Sequence, residues 1–119
     1  MEINENTRLC ADSYSLEAFD FINCKKEEYE GKYEKLEYTV IYNSGLSKEI
    51  YDGEYIIIGA NKECGYFIDL YLHEYGDDDE YFEISFPIET KFISSMTFPN
   101  SVILNTNNKE QLIVKFKQR

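Results

Sequence analysis

The chain has 119 residues, of which 43% are apolar and 16% aromatic, a composition that excludes a disordered tail. Asp and Glu number 23 against 12 Lys and Arg, for a net charge of −11. This charge excludes a protein that binds nucleic acid by neutralising phosphates, and it argues against docking to anionic lipid. The length predicts one globular domain spanning residues 1–119.

The N-terminal third fits two kinds of secondary structure. Phe19 and Phe21 flank Asp20 as they would on a strand, whereas Leu16, Phe19 and Ile22 have the spacing of one helix face. We expect a strand over 15–23 that pairs, in a long hairpin, with a strand over 33–43. A short N-terminal helix is the alternative.

From Leu36 onward the dominant period is two, which is the period of a strand with one buried face. β-Branched and aromatic runs recur between clusters of turn-forming residues. The runs are 36–42, 55–58, 66–72, 82–86, 92–98, 102–104 and 112–116. The pattern predicts a mainly-β domain, an antiparallel β-sandwich or strongly curled sheet of about seven or eight strands. An α+β domain with a short N-terminal helix is the alternative fold.

Two of the turn clusters predict hairpins. Residues 76–79 (Gly-Asp-Asp-Asp) join the third and fourth runs, and residues 106–109 (Thr-Asn-Asn-Lys) join the last two. Asparagine tolerates the positive φ that tight turns require, so we expect Asn107 or Asn108 to adopt it.

The cysteines and the N-terminus predict a compartment. Cys10, Cys24 and Cys64 are an odd number without a C-x-x-C pair, which favours reduced thiols over disulfides or zinc. The first residues lack the basic and apolar segments of a signal peptide, and no apolar run approaches the length of a membrane span. We therefore expect a cytoplasmic protein.

The sharpest local feature is an acidic loop flanked by tyrosines. Its residues are Glu74, Tyr75, Asp77, Asp78, Asp79, Glu80 and Tyr81. Consecutive carboxylates diverge and the spacing does not match a calcium loop, so no metal is expected there. The loop is either a partner-binding segment or a solvated turn. Glu27, Glu28 and Glu30 form a second acidic patch.

Residues that carry catalysis are sparse. His73 is the only histidine and falls at a strand end, where a polar rim position explains it without a catalytic role. The sequence has no nucleophile elbow, and its six glycines are scattered and form no phosphate-binding loop. We expect a protein that is not an enzyme and uses no cofactor.

The chain as a whole resembles the small bacterial immunity proteins of contact-dependent inhibition and related polymorphic toxin systems. The resemblance is carried by the small size, the acidity, the absence of catalytic motifs and the 11 tyrosines, with no signature motif. It implies a protein that binds a cognate toxin of the nuclease class as a monomer in a 1:1 complex and covers the toxin's basic active site. The resemblance assigns no individual residue; the acidity of residues 1–89 and the tyrosines beside the acids lead us to expect that the acidic loop and the second acidic patch bind the partner.

Two other functions fit a small acidic β-domain. A phage-encoded acidic protein that mimics nucleic acid and inhibits a host defence protein would carry regularly spaced carboxylates. A small ligand-binding β-domain would carry a deep pocket. The acids cluster in residues 27–37 and 69–83, which favours a compact protein interface.

Overall fold

The computed structural model describes residues 14, 16–21, 36–45, 47–60, 63, 65–72 and 80–118. Within these ranges the chain is mainly β, with eight antiparallel strands and one short helix at residues 16–21, so the predicted fold class is confirmed. The strands are β1 (Leu36–Asn43), β2 (Lys48–Gly53), β3 (Tyr55–Ala60), β4 (Tyr66–Tyr71), β5 (Tyr81–Ser85), β6 (Phe92–Phe98), β7 (Ser101–Thr106) and β8 (Gln111–Gln118).

The strands form two sheets. The larger sheet has the order β2-β1-β8-β7-β6, and the smaller sheet has the order β3-β4-β5. β1 lies between β2 and β8, with Val40 opposite Tyr51 on one side and Val114 on the other. The smaller sheet is a meander in which Ile68 lies between Ile58 and Ile84.

Both sheets contribute alternate residues to one hydrophobic core. Burial alternates along β4 and β7, as expected for strands with one face toward the core. Each fully buried Ile or Leu side chain contributes roughly 1.5–3 kcal/mol of hydrophobic stabilisation. The largest fully buried side chains are Phe19, Ile56, Ile68, Leu70, Leu104, Leu112, Val40, Val102, Val114 and Thr90.

The N-terminal segment is helical, so the predicted strand over 15–23 is wrong, and so is its hairpin with 33–43. Ala18 and Phe19 are both fully buried although they are adjacent. A strand would point them to opposite faces, whereas neighbouring residues of a helix can pack on one side. β1 begins at Leu36 and pairs with β2 and β8.

β2 has no counterpart among the predicted runs. It is an edge strand with three exposed residues at its start, Lys48, Glu49 and Ile50. A strand with little buried surface shows no strong apolar alternation, and charged residues are typical of edges. The period-two signal therefore missed it.

Both predicted hairpins are present as antiparallel pairs, β4 with β5 and β7 with β8. In the second turn Lys109 has a φ of 62°, so the positive φ falls on lysine and not on the asparagines. The Asn107 side chain is used differently. Its Oδ1 accepts from the Lys91 amide at 3.1 Å and its Nδ2 donates to the Glu89 carbonyl at 3.1 Å, which braces the β5–β6 connection.

One residue, Glu54, separates β2 from β3, so the chain passes from one sheet to the other within a very short corner. The Glu54 amide donates to the Tyr71 carbonyl at 2.8 Å. A Cβ on the preceding Gly53 would lie 2.6 Å from that carbonyl oxygen and 2.7 Å from Leu70 Cγ. The corner therefore requires glycine for steric reasons.

Candidate functional site

The outward side of the β3-β4-β5 sheet combines tyrosines and carboxylates. The pairing register places Tyr55, Tyr71 and Tyr81 in one cross-strand row and Ile57, Asp69 and Glu83 in the next. The alternate residues of β4 are buried in the core, so these rows lie on the other side of the sheet. We call Tyr55, Tyr71, Tyr81, Asp69 and Glu83 the acid–tyrosine face.

The Tyr71 ring lies between the rings of Tyr55 and Tyr81 and pairs with both of them. Ring centroids are 5.9 Å apart for Tyr55 and Tyr71 and 5.2 Å apart for Tyr71 and Tyr81. Aromatic pairs at these distances contribute about 0.5–1.5 kcal/mol beyond their burial. Tyr81, on the edge strand β5, is 53% exposed, so the row ends in a ring that a partner can contact.

The two carboxyl groups lie directly opposite each other on β4 and β5. Burial, a hydrogen bond with Glu83 and the Glu83 charge raise the pKa of Asp69 to about 7. The Ser85 hydroxyl donates to Glu83 Oε1 at 3.1 Å. Strands β3, β4 and β5 carry no Lys or Arg, so neither acid has a cationic partner on these strands.

The arrangement suits the binding of a guanidinium or ammonium group from another molecule. Two carboxyls that share a proton exchange it readily for a guanidinium or ammonium group, because the cation satisfies both charges. A guanidinium also stacks on tyrosine faces, which neighbour the acids here. A strongly shifted carboxyl next to a like charge is a pattern typical of functional sites.

The raised pKa of Asp69 predicts a pH effect on stability. Between about pH 4 and 7 the folded chain retains a proton that the unfolded chain has lost, so raising the pH through this window lowers the free energy of unfolding. Because Asp69 is half-buried, solvent screening limits its contribution to about 1–2 kcal/mol. Asp69→Asn is expected to stabilise the protein at pH 8 and to flatten the fall in stability between pH 5 and 8, as measured by urea unfolding.

Asp20→Asn provides the control for this experiment, because Asp20 is an exposed acid on the helix. It removes one negative charge without touching the carboxyl pair. Equal stabilisation by the two substitutions would show that overall charge, and not the Asp69–Glu83 pair, sets the pH dependence.

Of the residues predicted for partner binding, Glu80 and Tyr81 lie in the described part of the chain. Glu80 is exposed, and its carbonyl accepts from the Leu72 amide at 2.9 Å, which closes the β4–β5 connection. Tyr81 is the exposed end of the tyrosine row. The other predicted site residues lie outside the described residues: Glu74, Tyr75, Asp77, Asp78, Asp79, Glu27, Glu28 and Glu30.

The sequence did not point to Tyr55 or Tyr71, and it marked Asp69 and Glu83 only as the ends of the acidic cluster at 69–83. The sequence does mark Asp69, because this acid lies between the apolar residues Ile68 and Leu70 and points to the face opposite theirs. The three tyrosines also sit at a strand start, a strand end and the next strand start, positions that align in a meander. Pairing register, which a single sequence does not contain, is needed to bring them together.

The described ranges offer few other groups for a metal site or a catalytic site. No group of three or more His, Cys, Asp and Glu residues among them is arranged to hold a metal ion. His73 and the three cysteines lie outside these ranges. No helix of the described residues has the length and apolarity needed to cross a membrane.

Comparison with protein-family models, with curated proteins and with solved structures finds no significant match to the chain.

Proposed function

We propose that the chain is a cytoplasmic immunity protein that binds a cognate toxin of the nuclease class and covers its basic active site. The observation that carries the proposal is the acid–tyrosine face, where an aromatic row with one exposed end, Tyr81, adjoins two carboxyls with no cation on their own sheet. Such a surface supplies both features that a tight interface with a basic partner needs, charge complementarity and rigid aromatic anchors.

The charge distribution supports this kind of partner. Residues 1–89 carry 22 acids and 7 bases, whereas residues 90–119 carry 1 acid and 5 bases. An acidic field raises the association rate with a basic protein, up to about 10⁸ M⁻¹s⁻¹ at low salt. Rapid capture suits an inhibitor of a lethal enzyme.

The acidic loop adjoins the tyrosine row along the chain. Residues 72–80 connect β4 to β5, so the acidic residues at 74–80 begin three positions after Tyr71 and end next to Tyr81. We therefore propose that Asp77, Asp78, Asp79 and the acid–tyrosine face form one continuous interface. Glu27, Glu28 and Glu30 are proposed as its second patch.

The test uses the toxin domain encoded beside the gene for this chain, expressed with and without it in a sensitive bacterial strain. The wild-type chain should protect the cells and bind the purified toxin. Tyr81→Ala is expected to weaken the Kd roughly 30-fold, about 2 kcal/mol, because it removes an aromatic anchor. Glu83→Gln should weaken binding by removing a charge-assisted hydrogen bond. Ile88→Ser is the matched control, since Ile88 is 62% exposed but lies on the β5–β6 connection.

A second measurement distinguishes the contribution of the acidic loop to binding from that of the acid–tyrosine face. Substituting Asp77, Asp78 and Asp79 by Asn retains turn propensity, and it should slow association and flatten its dependence on salt. Unchanged protection and affinity for both Tyr81→Ala and the triple Asn variant would contradict the proposed interface. A neighbouring gene product that the wild-type chain neither binds nor neutralises would contradict the proposed function.

A further inference from the structure

The outward side of the five-stranded sheet carries an apolar row that crosses every strand. The pairing register places Ile50 opposite Ile41, Ile41 opposite Ile113, Ile113 opposite Ile103, and Ile103 opposite Met96. The strand neighbours of Ile41, Ile103 and Ile113 pack in the core, so these three side chains lie on the outward side. Ile50 pairs with Ile41 and Met96 pairs with Ile103, so they lie on the same side. We call these five residues the isoleucine row.

The row is open to a partner at both ends. Ile50 on β2 is 57% exposed and Met96 on β6 is 54% exposed, whereas Ile41 is buried and Ile103 and Ile113 are half-buried. Phe98, two residues after Met96 on the same side of β6, is 41% exposed. A contiguous apolar strip of this kind, bordered by polar rows, is typical of protein interfaces.

Apart from Phe98 at the β6 end of one of them, the rows on either side of the strip are polar and have little net charge. Lys48 and Asp52 lie two residues before and after Ile50 on β2. On one side, Asn105 donates to Ser94 at 2.9 Å and Gln111 donates to Asn105 at 3.2 Å. The charged residues of the face's strands are Lys48, Lys115, Lys117, Glu37, Glu49 and Asp52, which cancel in a chain of net charge −11.

We propose that two copies of the chain associate through this face, related by a two-fold axis parallel to the isoleucine row. Rotation about that axis places the row of one copy on the row of the other. It also exchanges the two flanking rows, so Lys48 of each copy lies opposite Asp52 of its mate. The interface is thus self-complementary in both apolar contact and charge, as an isologous dimer requires.

The opposite side of the sandwich does not fit a second copy. The acid–tyrosine face carries Asp69 and Glu83, and its three strands carry no Lys or Arg, so two such faces repel. Self-association through the isoleucine row leaves the acid–tyrosine faces pointing outward. Because self-association needs no toxin, its failure and the failure of the proposed function are distinguishable.

The size of the face predicts a reversible dimer. Five strands spaced about 4.8 Å apart, over about six residues each, give roughly 400–500 Å² per copy. Two copies would bury about 800–1,000 Å², below the range of stable interfaces. We expect a dissociation constant of about 10–100 µM, within reach of analytical ultracentrifugation.

The experiment is sedimentation equilibrium of the full chain from about 1 to 500 µM, concentrations that span the expected dissociation constant. The wild type should shift from its monomer mass of 14.1 kDa to twice that value. Ile50→Lys and Met96→Lys should each weaken association at least about tenfold, since each places a charge in the apolar strip. Both positions are more than half exposed, so folding, checked by circular dichroism, should persist. Ile88→Lys, outside the face, should have no effect.

A charge exchange tests the two-fold register. Lys48→Glu and Asp52→Lys should each weaken association, because each places like charges opposite one another. The double variant restores opposite charges and the net charge of −11, so it should recover dimerisation. A wild type that stays monomeric throughout, Lys variants without effect, or a double variant weaker than both singles would overturn the proposal. A monomeric wild type whose toxin binding is weakened by Ile50→Lys would assign the face to the toxin instead.

Discussion

Replacing Phe19 by alanine is expected to lower the free energy of unfolding by about 3–5 kcal/mol. Phe19 is fully buried and belongs to the core that both sheets share. Its loss leaves a cavity beneath the helix as well as removing buried apolar surface. Domains of this size are typically stable by about 5–15 kcal/mol, so the variant should unfold at much lower urea concentration than the wild type.

Asp20→Ala is the control for Phe19→Ala, because Asp20 is the next residue along and is exposed. Its effect should stay within about 0.5 kcal/mol, as is usual for surface positions. A Phe19→Ala variant that unfolds at the wild-type urea concentration would show that the helix is not part of the cooperative core.

Replacing Gly53 by alanine is expected to cost about 3 kcal/mol. The added Cβ would lie 2.6 Å from the Tyr71 carbonyl oxygen, which cannot withdraw without weakening its hydrogen bond from the Glu54 amide. Leu70 Cγ, at 2.7 Å, belongs to a fully buried side chain and has little room to move. Thermal unfolding followed by circular dichroism should show a clearly lower Tm.

Gly45→Ala is the matched substitution for this test. A Cβ at Gly45 meets nothing within 4 Å, so the change should be neutral or stabilise by up to about 1 kcal/mol through the unfolded state. Equal effects at the two glycines would indicate that backbone flexibility, and not the contact with β4, determines the role of Gly53.

Strands in which apolar and polar residues alternate were predictable, because burial of one face requires an apolar residue at every second position. β4 shows this best, since Tyr66, Ile68 and Leu70 are buried and the residues between them are not. β2 was not predicted because none of its side chains is fully buried, so its sequence shows no apolar alternation. Residues 16–21 fit both periods in the sequence, whereas the backbone is helical and buries the adjacent Ala18 and Phe19 together.

The candidate site was predictable only where it is local in sequence. Tyr81 stood out because it adjoins a run of acids. Asp69 and Glu83 are 14 positions apart, and Tyr55 and Tyr71 are 16 apart, so their contacts depend on strand register. Register follows from which faces are buried and how the turns close, and neither is visible residue by residue.

The pairing of β1 with β8 is expected to set the order in which this domain folds. The β1–β2 hairpin, the β3–β4–β5 meander and the β6–β7–β8 meander each join strands that are close along the chain. β1 meets β8 across a separation that runs from Asn43 to Gln111 at its shortest. Closing so long a loop costs conformational entropy before the contacts between β1 and β8 can form. We therefore expect a folding time in the range of about milliseconds to seconds. We therefore expect β1 and β8 to pair last. Until they pair, the apolar inward side of β8 is exposed to solvent, and the partly folded chain is prone to aggregation.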